Sequence, residues 1–118
     1  MKSIAFDVQG TLVDGPKSEI IVELLDFLLM NNPEVEIVIW SNSPGYVYDF
    51  MDDNNLDGQV EGGIKAYTFD DHKAGVDLAI EDDSRQLTLL KSKKFILVDD
   101  IPTFEDLLYE VRKVLDIT

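Results

Sequence analysis

Four short apolar runs in this 118-residue chain each close on residues that can do chemistry. Ile4-Ala5-Phe6 ends in Asp7, Val35 to Trp40 ends in Ser41, Val76 to Ile80 leads into Glu81-Asp82-Asp83, and Phe95 to Val98 ends in Asp99-Asp100. Carboxylates gathered with a hydroxyl form an all-oxygen site, suited to a hard cation and to nucleophilic attack by a carboxylate on an electrophilic centre. There is no cysteine, which excludes disulfides, thiolate chemistry and a Cys-ligated zinc. The one histidine, His72, reads as a solvent-exposed loop residue without a role.

These residues can converge only if the runs are neighbouring strands of one sheet. Ile4 to Phe6 gives way to Gly10 and then Asp14-Gly15-Pro16, a strand followed by a loop. From Ser18 to Met30 the apolar residues recur at helical spacing, and Asn31-Asn32-Pro33 supplies the stop. Val35 to Trp40 is a second buried strand, in which Trp40 is a core residue. Pro44 opens a helix through Val47 and Phe50 that ends near Asn54-Asn55. Gly62-Gly63 then precede a short strand from Ile64 to Phe69. After the strand Val76 to Ile80 come a short helix around Leu87, Leu89 and Leu90, the strand Phe95 to Val98, and a last helix opened by Pro102 and Thr103. Strands alternating with helices predict one domain over residues 1–118, a three-layer α/β/α Rossmann-like fold with a mainly parallel five-stranded sheet. In such sheets ligands bind beyond the carboxyl ends of the strands.

Bulk properties narrow the function. A formal net charge of -14 opposes binding to an extended phosphate backbone, so nucleic acid is not an expected partner. The composition, 45% hydrophobic and 29% charged, is that of a globular protein with one core. The start of the sequence meets an acid at Asp7 before a signal-peptide core could form, and no run is long enough to span a bilayer. A cytoplasmic location with no membrane association is expected, and self-association is left open.

Phe6-Asp7-Val8-Gln9-Gly10-Thr11-Leu12 resembles the first signature of the haloacid dehalogenase (HAD) superfamily, whose phosphatases read apolar-Asp-x-Asp-Gly-Thr-Leu after the first strand. Ile37 to Asn42 is similar to the second signature, an apolar strand ending in Ser or Thr. Lys73 falls where the third signature places its lysine, with Lys65 competing for the position, and Leu78 to Ser84 resembles the fourth, an apolar strand closing in an acidic pair. Four signatures in order over nearly the whole chain are more specific than any one alone. The resemblance implies a Mg²⁺-dependent phosphohydrolase. Asp7 would form an aspartyl-phosphate, with Ser41 and Lys73 as its catalytic partners. Mg²⁺ would be held by Asp7, the main-chain carbonyl of Gln9 and Asp82, with Asp83 in support. Gly10, Thr11, Ser41, Asn42 and Lys73 would contact the phosphorylated substrate. Asp99-Asp100 could also serve as the fourth signature, but the order of elements assigns that role to Asp82 and Asp83.

Two departures qualify this expectation. Gln9 stands where the family's phosphatases carry the aspartate that protonates the leaving group, and an amide cannot titrate. Only a loop and one helix separate the first two signatures, so no cap domain is expected and the open mouth would admit bulky or macromolecular substrates. A slow phosphohydrolase is the leading expectation. The alternative is a pseudo-enzyme that binds metal and phosphate without turnover. A phosphoacceptor receiver domain fits less well, because receivers carry an acidic pair after the first strand, where this chain has one Asp.

Overall fold

Strands with apolar residues on both faces must be covered on both, and three such segments form the centre of the sheet. In a computed structural model, which describes residues 2–64, 75–83, 85 and 92–117, these are β1 (Ser3–Asp7), β2 (Glu36–Ser41) and β4 (Val76–Glu81). β3 (Glu61–Ile64) and β5 (Ser92–Leu97) are the edges, giving the order β3-β2-β1-β4-β5 with every pair parallel. Three α-helices are described: α1 (Ser18–Asn31), α2 (Pro44–Asp53) and α3 (Phe104–Leu115).

The helices bury their apolar stripes on one face of the sheet. Ile21, Leu24, Leu25 and Leu28 of α1, Val47 and Phe50 of α2, and Leu107, Val111 and Leu115 of α3 share a core with Ile4, Phe6, Ile37, Ile39, Leu78 and Ile80. The other face is also covered, since Ala5, Val38, Trp40 and Ala79 are buried in a second cluster. The architecture is the expected Rossmann-like α/β arrangement, with a parallel sheet between two covered faces. The short helix expected around Leu87, Leu89 and Leu90 lies outside the described residues.

The third strand departs from expectation. It begins at Glu61 and runs through Gly62 and Gly63, which were expected to precede a strand starting at Ile64. A Cβ at Gly62 would lie 2.7 Å from Met51 Sδ and 3.1 Å from Val47 Cγ1. The glycine is there so that α2 can pack directly on the strand. The expected residues 65–69 of that strand lie outside the described residues. The fifth strand ends at Leu97, and Val98–Asp100 form a 3₁₀ turn.

Candidate functional site

The strand order places the chain's reversal at β1. From β1 the chain moves outward to β2 and β3, then returns to pair β4 against the other side of β1. The crevice between the carboxyl ends of β1 and β4 is therefore the topological switch point, where such sheets bind ligands. Asp7 ends β1 and Glu81 ends β4, and the pairing of Phe6 with Ile80 brings both carboxylates to one level of the sheet.

Carboxylate oxygens of Asp7, Glu81 and Asp82 all lie within 4.8 Å of one another. Asp7 and Glu81 are buried, at 5% and 1% exposure, while Asp82 faces solvent. Glu81 is the member that the sequence reading passed over in favour of the two aspartates after it. Its signal was a carboxylate closing an apolar strand, the same signal that marked Asp7. One Glu81 oxygen accepts the backbone N–H groups of Asp82 (3.2 Å) and Asp83 (3.4 Å), so the side chain also shapes the turn that follows. The Asp83 carboxylate is engaged by Arg85, through a 3.0 Å ion pair and a bond from the Arg85 backbone N–H. Asp83 thus lines the rim of the cleft without joining the converging set.

The loop after β1 is tied down by its own backbone. Thr11, Leu12 and Val13 all donate to the Val8 carbonyl, and Gly10 N–H donates to Val13 O at 2.8 Å. Ser18 at the start of α1 locks the far end, accepting from Gly15 N–H and donating to Thr11 O. Gly10 has φ 83°, a conformation that side chains disfavour, and a Cβ there would collide with the Asp82 carboxylate. Thr11, expected to contact substrate, is fully buried, and its hydroxyl donates to Asp7 Oδ2 at 3.3 Å. It orients Asp7 from beneath.

Across the cleft, Ser41 is buried at the end of β2, and its Oγ accepts the Ser43 N–H at 3.1 Å. The hydroxyl thus organises the turn into α2, and as the acceptor in that bond it keeps its proton for a second partner. Asp7, Gln9, Ser41, Asn42, Ser43, Tyr46, Glu81, Asp82 and Asp83 line an open cleft of about 220 Å³. Gln9 is exposed at its mouth. Lys73, and Lys65 with it, lie outside the described residues. Asp99 and Asp100 sit in the exposed 3₁₀ turn after β5 and are not members of the acidic set.

Three carboxylates at this spacing form an all-oxygen donor set of the kind that holds hard divalent cations. Fold and site together define an α/β protein with a candidate acidic metal centre at its switch point. No protein-family model, curated protein or solved structure matches the chain. No described helix is long and apolar enough to cross a membrane.

Proposed function

We propose that the chain is a Mg²⁺-dependent phosphohydrolase of the haloacid dehalogenase type, slow because Gln9 replaces the proton donor. The observation that carries this reading is the convergence of Asp7, Glu81 and Asp82 at the switch point, beside a buried serine hydroxyl. Asp7, Glu81 and Asp82 would hold Mg²⁺, which supplies charge neutralisation for the phosphoryl oxygens when bound.

The chain's own residues account for the rest. An Asp7 oxygen attacks phosphorus while the P–O bond to the leaving group breaks. Water then attacks the aspartyl-phosphate, releasing inorganic phosphate and restoring the carboxylate. Thr11 fixes the rotamer of Asp7 through its 3.3 Å bond, and Ser41 offers a donor to a non-bridging oxygen. The α2 N-terminus, whose Ser43 and Tyr46 line the cleft, turns the positive end of its dipole toward the same group. Lys73 would neutralise further charge by the family resemblance. Gln9 cannot give the leaving group a proton, so esters of acidic alcohols are the ones that turn over.

The test is hydrolysis of an activated aryl phosphate with and without Mg²⁺. Wild type should turn over slowly, Asp7→Asn should be inactive, and Gln9→Asp should gain about 10²-fold or more in rate. The Gln9 amide at the cleft mouth also favours a second reading, a pseudo-enzyme that binds metal and phosphate. Retained Mg²⁺ and phosphate binding without turnover, even in Gln9→Asp, would select that reading.

A further inference from the structure

Tyr46 borders the acidic cleft. Between the loop after β1 and helix α2 lies a second groove, of about 430 Å³, which the same residue borders. Tyr46 is 45% exposed and lines both spaces, and Val8 in the groove is the chain neighbour of Asp7 and Gln9 in the cleft. The groove thus adjoins the site, with Tyr46 common to both linings. Its floor is apolar, formed by Val8, Leu12, Val13, Val22 and Phe50.

Its walls are acidic, with Asp14 on the loop side and Asp49 and Asp53 on the helix side. Tyr46, Asp49, Phe50 and Asp53 follow the i, i+3, i+4, i+7 spacing of one helical stripe, so α2 turns one coherent surface to the groove. That surface is costly for the helix. Like charges at i, i+4 repel, and Asp53 stands at the negative end of the dipole, in a helix whose last turn carries no basic residue. Among the described residues no ion pair engages Asp14, Asp49 or Asp53. A cation held against an aromatic ring and an apolar floor would relieve this charge.

We infer that this groove receives the leaving-group end of the substrate, an aromatic body that carries a positive charge. The inference rests on the phosphohydrolase reading, which puts the phosphoryl group in the acidic cleft. The ester's alcohol part then passes Tyr46, lays its apolar body over Val8, Leu12 and Phe50, and presents its cation to Asp49 and Asp53. The volume suits a small organic body.

Three aryl phosphates of matched leaving ability test it: 4-(2-aminoethyl)phenyl phosphate, 4-ethylphenyl phosphate and 4-(2-carboxyethyl)phenyl phosphate. Dissociation constants are measured by calorimetry in Mg²⁺, with kcat/KM alongside. The expected order is amine, then ethyl, then carboxylate, with about a tenfold step between the first two, shrinking as salt is raised. Asp49→Asn/Asp53→Asn should erase the preference for the amine, and Asp49→Lys should invert it toward the carboxylate. Circular dichroism confirms that each variant is folded. Equal affinity for all three, or a preference that survives Asp49→Asn/Asp53→Asn, overturns the groove assignment and leaves the proposed function standing. Binding in the expected order without turnover, in Gln9→Asp as well as in wild type, supports the groove and removes the hydrolase. Failure of all three to bind overturns both.

Discussion

At the scale of single residues, the candidate site depends on backbone as much as on carboxylates. Gly10 holds a left-handed conformation while the Asp82 side chain fills the space a Cβ would occupy. Gly10→Ala should therefore displace Asp82 and weaken Mg²⁺ affinity at least tenfold, read by calorimetry, while a control substitution at the unobstructed Gly45 leaves it unchanged. Thr11→Val keeps the volume but removes the donor to Asp7, and should lower kcat on an aryl phosphate with little effect on Mg²⁺ affinity. Much of this was legible in the sequence. Asp7, Ser41 and Asp82 were found because each follows an apolar strand, and position after a strand is what brings residues to one edge of a parallel sheet. Glu81 closes its strand as Asp7 closes β1, and it was missed because two further carboxylates follow it directly and drew the assignment to Asp82 and Asp83. Thr11 was placed in contact with substrate because its motif was legible, whereas its position beneath Asp7 depends on how the loop folds back on Val8.

At the scale of elements, the described helices were readable because their apolar residues repeat with the helical period, and the start of β3 at Glu61 was not because Gly62 and Gly63 carry no side-chain pattern. Gly62 looks like punctuation in sequence and is a packing residue in space, beneath Met51 and Val47. The ends of α3 yield two opposite stability effects. Thr103 caps its N-terminus by accepting the Asp106 N–H at 3.1 Å, so Thr103→Ala should cost about 1 kcal/mol in urea denaturation. Asp116 closes the same helix at φ 53° with its negative charge at the negative end of the dipole, so Asp116→Gly should stabilise by about 0.5–1 kcal/mol. The start of β1 is tied to β4 and β5 by Asp77, which accepts the Ser3 N–H at 2.9 Å and pairs with Lys93 at 3.0 Å. Burial pushes the Asp77 carboxyl up, but its bonds to Lys93 and Ser3 outweigh that effect and hold it below the ordinary carboxylate range. Its stabilising contribution is therefore complete above the unfolded value of about 3.9 and is lost as pH falls through the lower folded value. Asp77→Asn should flatten the acid limb of a plot of urea midpoint against pH, below about pH 4.

At the scale of the whole molecule, a net charge of -14 makes the folded chain sensitive to counterions, and the three carboxylates at the switch point concentrate that sensitivity in one place. A cation that binds only the folded state adds about 2.7 kcal/mol of stability at a hundred times its dissociation constant. The melting temperature should accordingly rise with Mg²⁺ in wild type, and by much less in Asp7→Asn. The strand order also governs when the carboxylates meet. β1 lies at the centre of the sheet but pairs with β4 only across a long span of chain, 74 positions between Ser3 and Asp77. Contacts closing so large a loop carry the highest entropic cost and tend to form late in folding. Mg²⁺ should therefore act as a latch on a sheet already assembled, slowing unfolding in stopped-flow measurements while leaving the refolding rate nearly unchanged. β1, synthesised well before β4, would then wait for the intervening chain before its aspartate finds the acids that complete its site.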